Sequence, residues 1–122
     1  MRIYILEDMS IRMEWFRKTF HDCEIYHTDK VKKACEDIEN NEYDLIFLDR
    51  DLGDYKLTGE FVTDYMVEKR LAQNSAIVIH SSNEPARIRM KENLDVYHKD
   101  VHIIPFTELY NMKREDFKCH QK

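Results

Sequence analysis

Short apolar runs alternate along this chain with segments in which apolar residues recur every three or four positions. Three of the runs are apolar throughout, which is typical of strands that are covered on both faces of a sheet. Another run, Glu24–His27, is more polar and indicates an edge strand. The five predicted strands are Ile3–Leu6, Glu24–His27, Leu45–Leu48, Ala76–Ile79 and Val101–Ile104.

The segments between the strands have the i, i+3, i+4, i+7 apolar spacing of amphipathic helices. The apolar positions that predict the first four helices are Ile11, Trp15, Phe16 and Phe20; Val31, Ala34, Cys35 and Ile38; Phe61, Val62, Tyr65 and Met66; and Ile88 and Leu94. A last helix is predicted from about Thr107 through Phe117.

Residues that favour the start of a helix precede several of these segments, because their side chains accept bonds from the free amides of the first turn. The candidates are Thr28 or Asp29 for the second helix, Thr58 for the third, and Ser82 or Asn83, with Pro85 in the first turn, for the fourth. Strands that alternate with helices predict a parallel sheet covered by helices on both faces. We therefore expect a single (βα)5 domain over residues 1–122.

The composition narrows the classes of protein. With 122 residues, 43% of them hydrophobic, the chain is long enough for one core and too apolar for disorder. No apolar run approaches the roughly 18 residues of a membrane span. A net charge of −5, with Lys and Arg spread along the chain, argues against direct nucleic-acid binding. Three cysteines without metal-like spacing favour free thiols in a reducing compartment, so we expect a cytoplasmic protein. We also expect a monomer or a weak dimer.

The chemistry lies where the strands end. Ligands of open parallel sheets bind beyond the carboxyl ends of the strands, and four acidic residues are placed there: Glu7, Asp8, Asp49 and Asp51. Carboxylates that converge repel one another unless a cation neutralises them, and oxygen ligands of this kind suit Mg2+. The alternative is that they only cap the helices that follow. Both glycines, Gly53 and Gly59, fall in the loop after the third strand, which indicates special backbone geometry there.

Together these residues resemble a response-regulator receiver domain: the pair Glu7-Asp8, Asp49 after an apolar strand, and the hydroxyl of Ser81 after the fourth strand. The resemblance implies a flavodoxin-like three-layer sandwich with strand order 2-1-3-4-5 and Mg2+ held by the acidic pair and Asp49. It also implies that Asp49 is phosphorylated and that Ser81 contacts the phosphoryl group. Receivers carry a lysine before the proline that follows strand 5, whereas this chain has Ile104 there.

Two motifs resemble a narrower, receiver-like branch that is predicted to process cyclic phosphates and lacks the lysine. LDRDLG (residues 48–53) and HSSNEPAR (residues 80–87) are similar to its LDHDLG and HSxNPxxR signatures. This resemblance implies a magnesium-dependent phosphoesterase that acts on a phosphate-containing small molecule. Asp49, His80 and Ser81 would be catalytic, with His80 moving protons, while Arg87 and Asn83 would bind the ligand. Because strand side chains alternate, His80 and Ser81 should point to opposite sides.

Other functions compete with this hypothesis. The chain could be a stand-alone atypical receiver in a phosphorelay, with Asp49 as phosphoacceptor, or a non-catalytic module that docks a partner protein. A third class is a phosphatase or nuclease that uses Asp49-x-Asp51. The haloacid-dehalogenase type has its acidic motif on the first strand, which argues against it, and a toprim-like site has little support from this chain.

Overall fold

A computed structural model describes residues 1–53 and 56–117 of the chain. Its strands are β1 (Arg2–Leu6), β2 (Glu24–Thr28), β3 (Leu45–Leu48), β4 (Ala76–Ile79) and β5 (Val101–Ile103). Its helices are α1 (Ser10–Thr19), α2 (Val31–Asn40), α3 (Gly59–Lys69), α4 (Glu84–Asp95) and α5 (Phe106–Leu109), followed by a 3-10 helix over Arg114–Phe117.

The five strands form one parallel sheet in the order β2-β1-β3-β4-β5. This is the flavodoxin-like arrangement, and it confirms the predicted fold class. Leu6 of β1 pairs with Leu48 of β3, which pairs in turn with Ile79 of β4. The three central strands therefore end level with one another, and the residues that follow them come out side by side.

Helices cover both faces of the sheet. One apolar layer joins α1, α5 and the 3-10 helix to the sheet through residues such as Phe16, Phe47 and Val78. The other joins α2, α3 and α4 through residues such as Ile46, Met66 and Leu94. The more polar β2 lies at the edge, as predicted, because only an edge strand can leave much of its surface to solvent.

The structure corrects some predictions of which helix residues face the core and which residues cap the helices. Three residues expected in the core, Ile11, Phe61 and Ile88, are exposed, whereas Met13 and Met90 are buried. Neither predicted cap of α2, Thr28 or Asp29, occupies the N-cap position, which is Lys30. The Thr28 hydroxyl instead accepts a hydrogen bond from the Lys30 amide. The caps Thr58 and Asn83 are confirmed by their hydrogen bonds to the amides of Glu60 and Ala86.

The last helix differs most from its prediction. Instead of one helix from about Thr107 to Phe117, the chain forms the single turn α5 and then a separate 3-10 turn. Leu109 and Phe117 are both buried in the α1 layer, so the break brings each of them to the core. Within the described part of the chain, no helix combines the length and the apolar character that crossing a bilayer requires.

Candidate functional site

Three polar side chains follow the central strands in one row. Glu7, Asp49 and His80 each come directly after the level ends of β1, β3 and β4, and the sheet bonds continue through the amides of Asp49 and His80. Strand alternation turns all three toward the α1 face. Ligand atoms of the three lie within 4.8 Å of one another, and all three residues are buried.

Glu7 is the most heavily bonded of the three. Its Oε2 accepts hydrogen bonds from the amides of Asp8 (3.1 Å) and Met9 (3.0 Å), at the turn into α1. Its Oε1 lies 2.7 Å from His80 Nε2. Burial raises the pKa of Glu7, but the bond and charge of His80, the Met9 amide and the Arg12 charge outweigh it and hold the pKa below its ordinary value. Glu7 is therefore ionised. Because an ionised carboxylate can only accept, His80 Nε2 donates the hydrogen bond between them.

The imidazole of His80 is fully buried between Glu7 and the aromatic rings of Phe16 and Phe47. Among the described residues its Nδ1 has no hydrogen-bond partner. The hydroxyl of Ser81, the next residue, accepts the amide of Asn83 at the turn into α4, on the side that strand alternation predicts. His80 thus faces the acidic residues, and Glu7 sets the orientation of its ring.

Asp49 is held by its own backbone and by a cation. Its Oδ1 accepts the amide of Arg50 (2.8 Å), and its Oδ2 lies 3.5 Å from Nη1 of Arg12. The same Nη1 lies 3.5 Å from Glu7 Oε1. Burial raises the pKa of Asp49 and the negative charge of Glu7 adds to this, while His80, Arg50 and Arg12 act in the opposite direction.

Asp8 lies at the exposed edge of this cluster. Partial burial raises its pKa, and the charge of neighbouring Glu7 raises it further. A Cβ on Gly53 would lie 3.6 Å from Asp8 Oδ2, so the loop after β3 passes close by. The carboxylates of Glu7, Asp49 and the neighbouring Asp8 against the one guanidinium of Arg12 leave two net negative charges. The Glu7 and Asp49 oxygens, which lie within 4.8 Å of one another, are donors that suit a divalent cation. The residues present therefore fit a magnesium ion.

Asp51 does not join the cluster. Its side chain is 57% exposed and is paired with Nη1 of Arg50 at 2.7 Å. The expected convergence of four carboxylates is corrected on this point: the ion pair with Arg50 turns the Asp51 carboxylate toward solvent. Arg50 in turn bonds Glu60 through its Nε at 3.0 Å, which links the loop to α3.

The motif after β4 folds into the start of α4. The Ser81 hydroxyl accepts the amide of Asn83 (3.1 Å), and Asn83 Oδ1 accepts the amide of Ala86 (3.2 Å). Both amides are therefore bonded within the motif. Arg87 lies beside them with Nη1 3.3 Å from the Ser81 carbonyl, and no described carboxylate pairs with it. Its guanidinium is thus the one in this motif that can receive an anion.

Gly59 presses α3 against the end of β3. A Cβ there would lie 1.9 Å from the carbonyl oxygen of Asp49, and the Gly59 amide bonds the Arg50 carbonyl at 2.9 Å. Gly53 has a φ of +74°, a left-handed conformation that favours glycine. Both glycines therefore serve the special geometry that the sequence indicated.

Sequence reasoning missed Arg12. In the sequence, Arg12 is visible only as a basic residue in the first turn of the helix that follows Glu7-Asp8. Its position along the chain does not indicate that its side chain reaches Asp49. Ile104, the position of the receiver lysine, follows His80 in the same row, because Ile103 of β5 pairs with Ile79 of β4. The cation at this site therefore comes from α1 and not from the end of β5.

Comparisons with known proteins agree with this fold. A family model described as "Cyclic-phosphate processing Receiver domain" matches residues 4–96. None of the curated proteins is detectably similar to the chain in sequence.

Similar solved structures include receiver domains of response regulators and of a sensor histidine kinase. The receiver domain of a sensor histidine kinase from Pseudomonas aeruginosa, with magnesium coordinated in its active-site cleft, has a TM-score of 0.67 at 17% identity and covers 94% of this chain and 88% of its own. The non-phosphorylated HemR receiver domain from Leptospira biflexa gives 0.68 at 18%, covering 95% and 86%. The response regulator TrrA from Thermotoga maritima, in complex with Mg(2+)-BeF, gives 0.62 at 18%, covering 84% of each chain. At these identities the likeness shows the fold.

Proposed function

Because the chain belongs to the family of cyclic-phosphate processing receiver domains, we propose that it hydrolyses a cyclic phosphodiester or a related phosphate ester. The observation that carries this proposal is the buried bond of 2.7 Å between Glu7 and His80 in the same row as Asp49. A carboxylate that orients an imidazole beside a second carboxylate is an arrangement suited to proton transfer. A phosphoacceptor aspartate alone would not require it.

In the proposed reaction a water oxygen forms a bond to phosphorus, and the ester bond from phosphorus to one ring oxygen breaks. The proton that the water loses passes to His80, which returns it to the ring oxygen that leaves. One water is consumed and a phosphate monoester results, with no oxidant or reductant. Glu7 keeps the imidazole of His80 in one orientation throughout.

Asp8 and Asp49, with Glu7 beside them, would hold a magnesium ion in this proposal. Bound there, the ion would polarise the phosphoryl group and offset its negative charge. Two of the similar receivers contain magnesium, and the two net negative charges of the cluster in this chain match a divalent ion. The substrate phosphate would meet Arg87 and the Ser81 hydroxyl, whose hydrogen remains free to donate because its oxygen accepts the Asn83 amide.

The test is turnover of a panel of cyclic phosphates with Mg2+, comparing the native chain with His80→Ala. We expect the variant to lose about 100-fold or more in kcat, the usual size of a lost acid–base group. His21→Ala is the matched control, because His21 is exposed and outside the site, and it should keep full activity. If the folded native chain turns over no member of the panel, the proposal is wrong.

A phosphorelay receiver is the second candidate. Asp49 follows β3 and Ser81 follows β4, as in receiver domains, and the fold is that of response-regulator receivers. Ile104 weighs against it, because no cation comes from the end of β5. If the chain turns over no cyclic phosphate but forms an aspartyl phosphate on Asp49 from acetyl phosphate, this candidate is supported. A partner protein would then bind the phosphorylated surface.

A further inference from the structure

Arg12 is the cation of this site, although no sequence motif includes it. Its Nη1 lies 3.5 Å from both Asp49 Oδ2 and Glu7 Oε1, and its side chain is only 15% exposed. Direct charge-assisted hydrogen bonds between such groups are about 2.7–2.9 Å long. The guanidinium is therefore placed between the two carboxylates without being tightly bound to either.

The guanidinium of Arg12 also packs against an aromatic ring. The guanidinium carbon of Arg12 lies 4.9 Å from the centre of the Phe106 ring, which packs edge-on against Trp15 at 5.7 Å. On the same helix, Met13 and Phe16 are buried in the α1 layer and anchor α1 to the sheet. The position of Arg12 over the strand ends thus follows from the core and does not depend on its ion pairs.

Most of the hydrogen-bonding capacity of Arg12 is unused. A guanidinium has five N–H donors in a planar fork, and among the described residues only Nη1 of Arg12 has a polar partner. The other donors are not buried, since the one buried side-chain atom without a partner among the described residues is His80 Nδ1, so they are open to a ligand. The free edge of the fork matches two oxygens of a phosphate group.

We propose that Arg12 is a phosphate-binding residue of the Asp49 site, which pairs with a phosphoryl oxygen of the bound substrate. This rests on the proposed function, in that Asp49 must face a phosphate group. Ile104 offers no charge from β5, so Arg12 supplies the cation on the α1 side, and Arg87 supplies a second one beside Ser81. The two arginines come from helices on opposite faces of the sheet and approach the strand ends from both sides.

The experiment measures binding of inorganic phosphate by the full chain in the presence of Mg2+, and kcat and KM on the best cyclic phosphate. Arg12→Gln should weaken phosphate binding by about 10- to 100-fold, the range of one lost bond to a charged group. Arg12→Lys should retain part of the affinity because it keeps the charge. Arg17→Gln is the control, since Arg17 lies exposed on the same helix, and it should bind like the native chain.

A charge-relocation variant distinguishes binding from a structural role. Ile104→Lys added to Arg12→Gln returns a cation to the same row from β5, and we expect it to recover part of the lost affinity. All variants are compared at matched folded fraction, measured by urea unfolding. If Arg12→Gln binds phosphate as the native chain does, or if neither lysine variant recovers affinity, this inference is wrong while the proposed function stands. A native chain that neither binds phosphate nor turns over substrate overturns both.

Discussion

A carboxylate with no exposure to water must have partners, and Glu7 has them on every side. Two backbone amides, the imidazole of His80 and the guanidinium of Arg12 surround it. The net effect is a pKa below its ordinary value in spite of burial. A charge kept ionised in this way costs stability when any partner is lost. At the scale of single residues, the site therefore depends on contacts that leave little freedom to its side chains.

Gly59 is the residue whose replacement should disturb this arrangement most simply. Gly59→Ala places a methyl group against the Asp49 carbonyl, and we expect a loss of about 1–3 kcal/mol in the free energy of unfolding, typical of overpacking. Gly53→Ala is the comparison: its strain comes from φ alone, at about 1 kcal/mol. Urea unfolding measures both, and an equal or smaller loss for Gly59→Ala would contradict the close approach.

At the scale of elements, the loop after β3 ties three parts of the fold together. Arg50, next to Asp49, bonds Glu60 in the first turn of α3, and Arg89 of α4 bonds the same carboxylate through two atoms, at 3.1 and 2.8 Å. The bonds from Arg89 and Arg50 outweigh burial and lower the pKa of Glu60. A group whose pKa is lower in the folded than in the unfolded chain stabilises the fold above the unfolded pKa.

Glu60→Gln should therefore destabilise the protein at neutral pH, by about 0.5–1 kcal/mol for a partly exposed network. The difference from the native chain should disappear as the pH falls through the lowered pKa of Glu60, because the native carboxylate is then protonated too. Glu68→Gln is the control, since this exposed residue lies on the same helix outside the network. Thermal unfolding between pH 7 and pH 3 measures both; a difference that persists unchanged at low pH would contradict the ion-pair explanation.

At the scale of the whole molecule, the sheet separates two apolar layers and collects charge at one end. The strand ends of β1, β3 and β4 bring Glu7, Asp49 and His80 together, while α1 and α4 bring Arg12 and Arg87 from opposite faces. Burial of these groups lowers the effective dielectric around them, so each charge acts more strongly on its neighbours. The fold thus places acidic and basic side chains close together at the carboxyl ends of the central strands.

Magnesium should stabilise the folded chain, because an ion that binds only the native state adds to its stability. At 100 times its dissociation constant the gain is about 2.7 kcal/mol, measurable as a rise in Tm. Asp49→Asn should abolish the rise. Asp51→Asn should keep it, since the Asp51 carboxylate is exposed and paired with Arg50. A rise lost in Asp51→Asn but kept in Asp49→Asn would overturn the site as described.

The hydrophobic pattern predicts the five strands, the first four helices, and the positions of Glu7, Asp49 and His80 directly after three of the strands. Apolar strands of similar length, alternating side chains and polar residues directly after each run were enough to place Glu7, Asp49 and His80 at one end of the sheet. Thr58 and Asn83 were also readable, because a helix cap is a contact between residues two or three apart.

Which charged side chains meet depends on how the elements pack against one another. Arg12 lies 37 residues from Asp49 in sequence, and its approach depends on how α1 packs on the sheet. The burial of Met13 in place of Ile11 likewise depends on how α1 is rotated against the sheet. Periodicity predicts that an element forms, but ion pairs across elements require distances through space, which no local pattern contains.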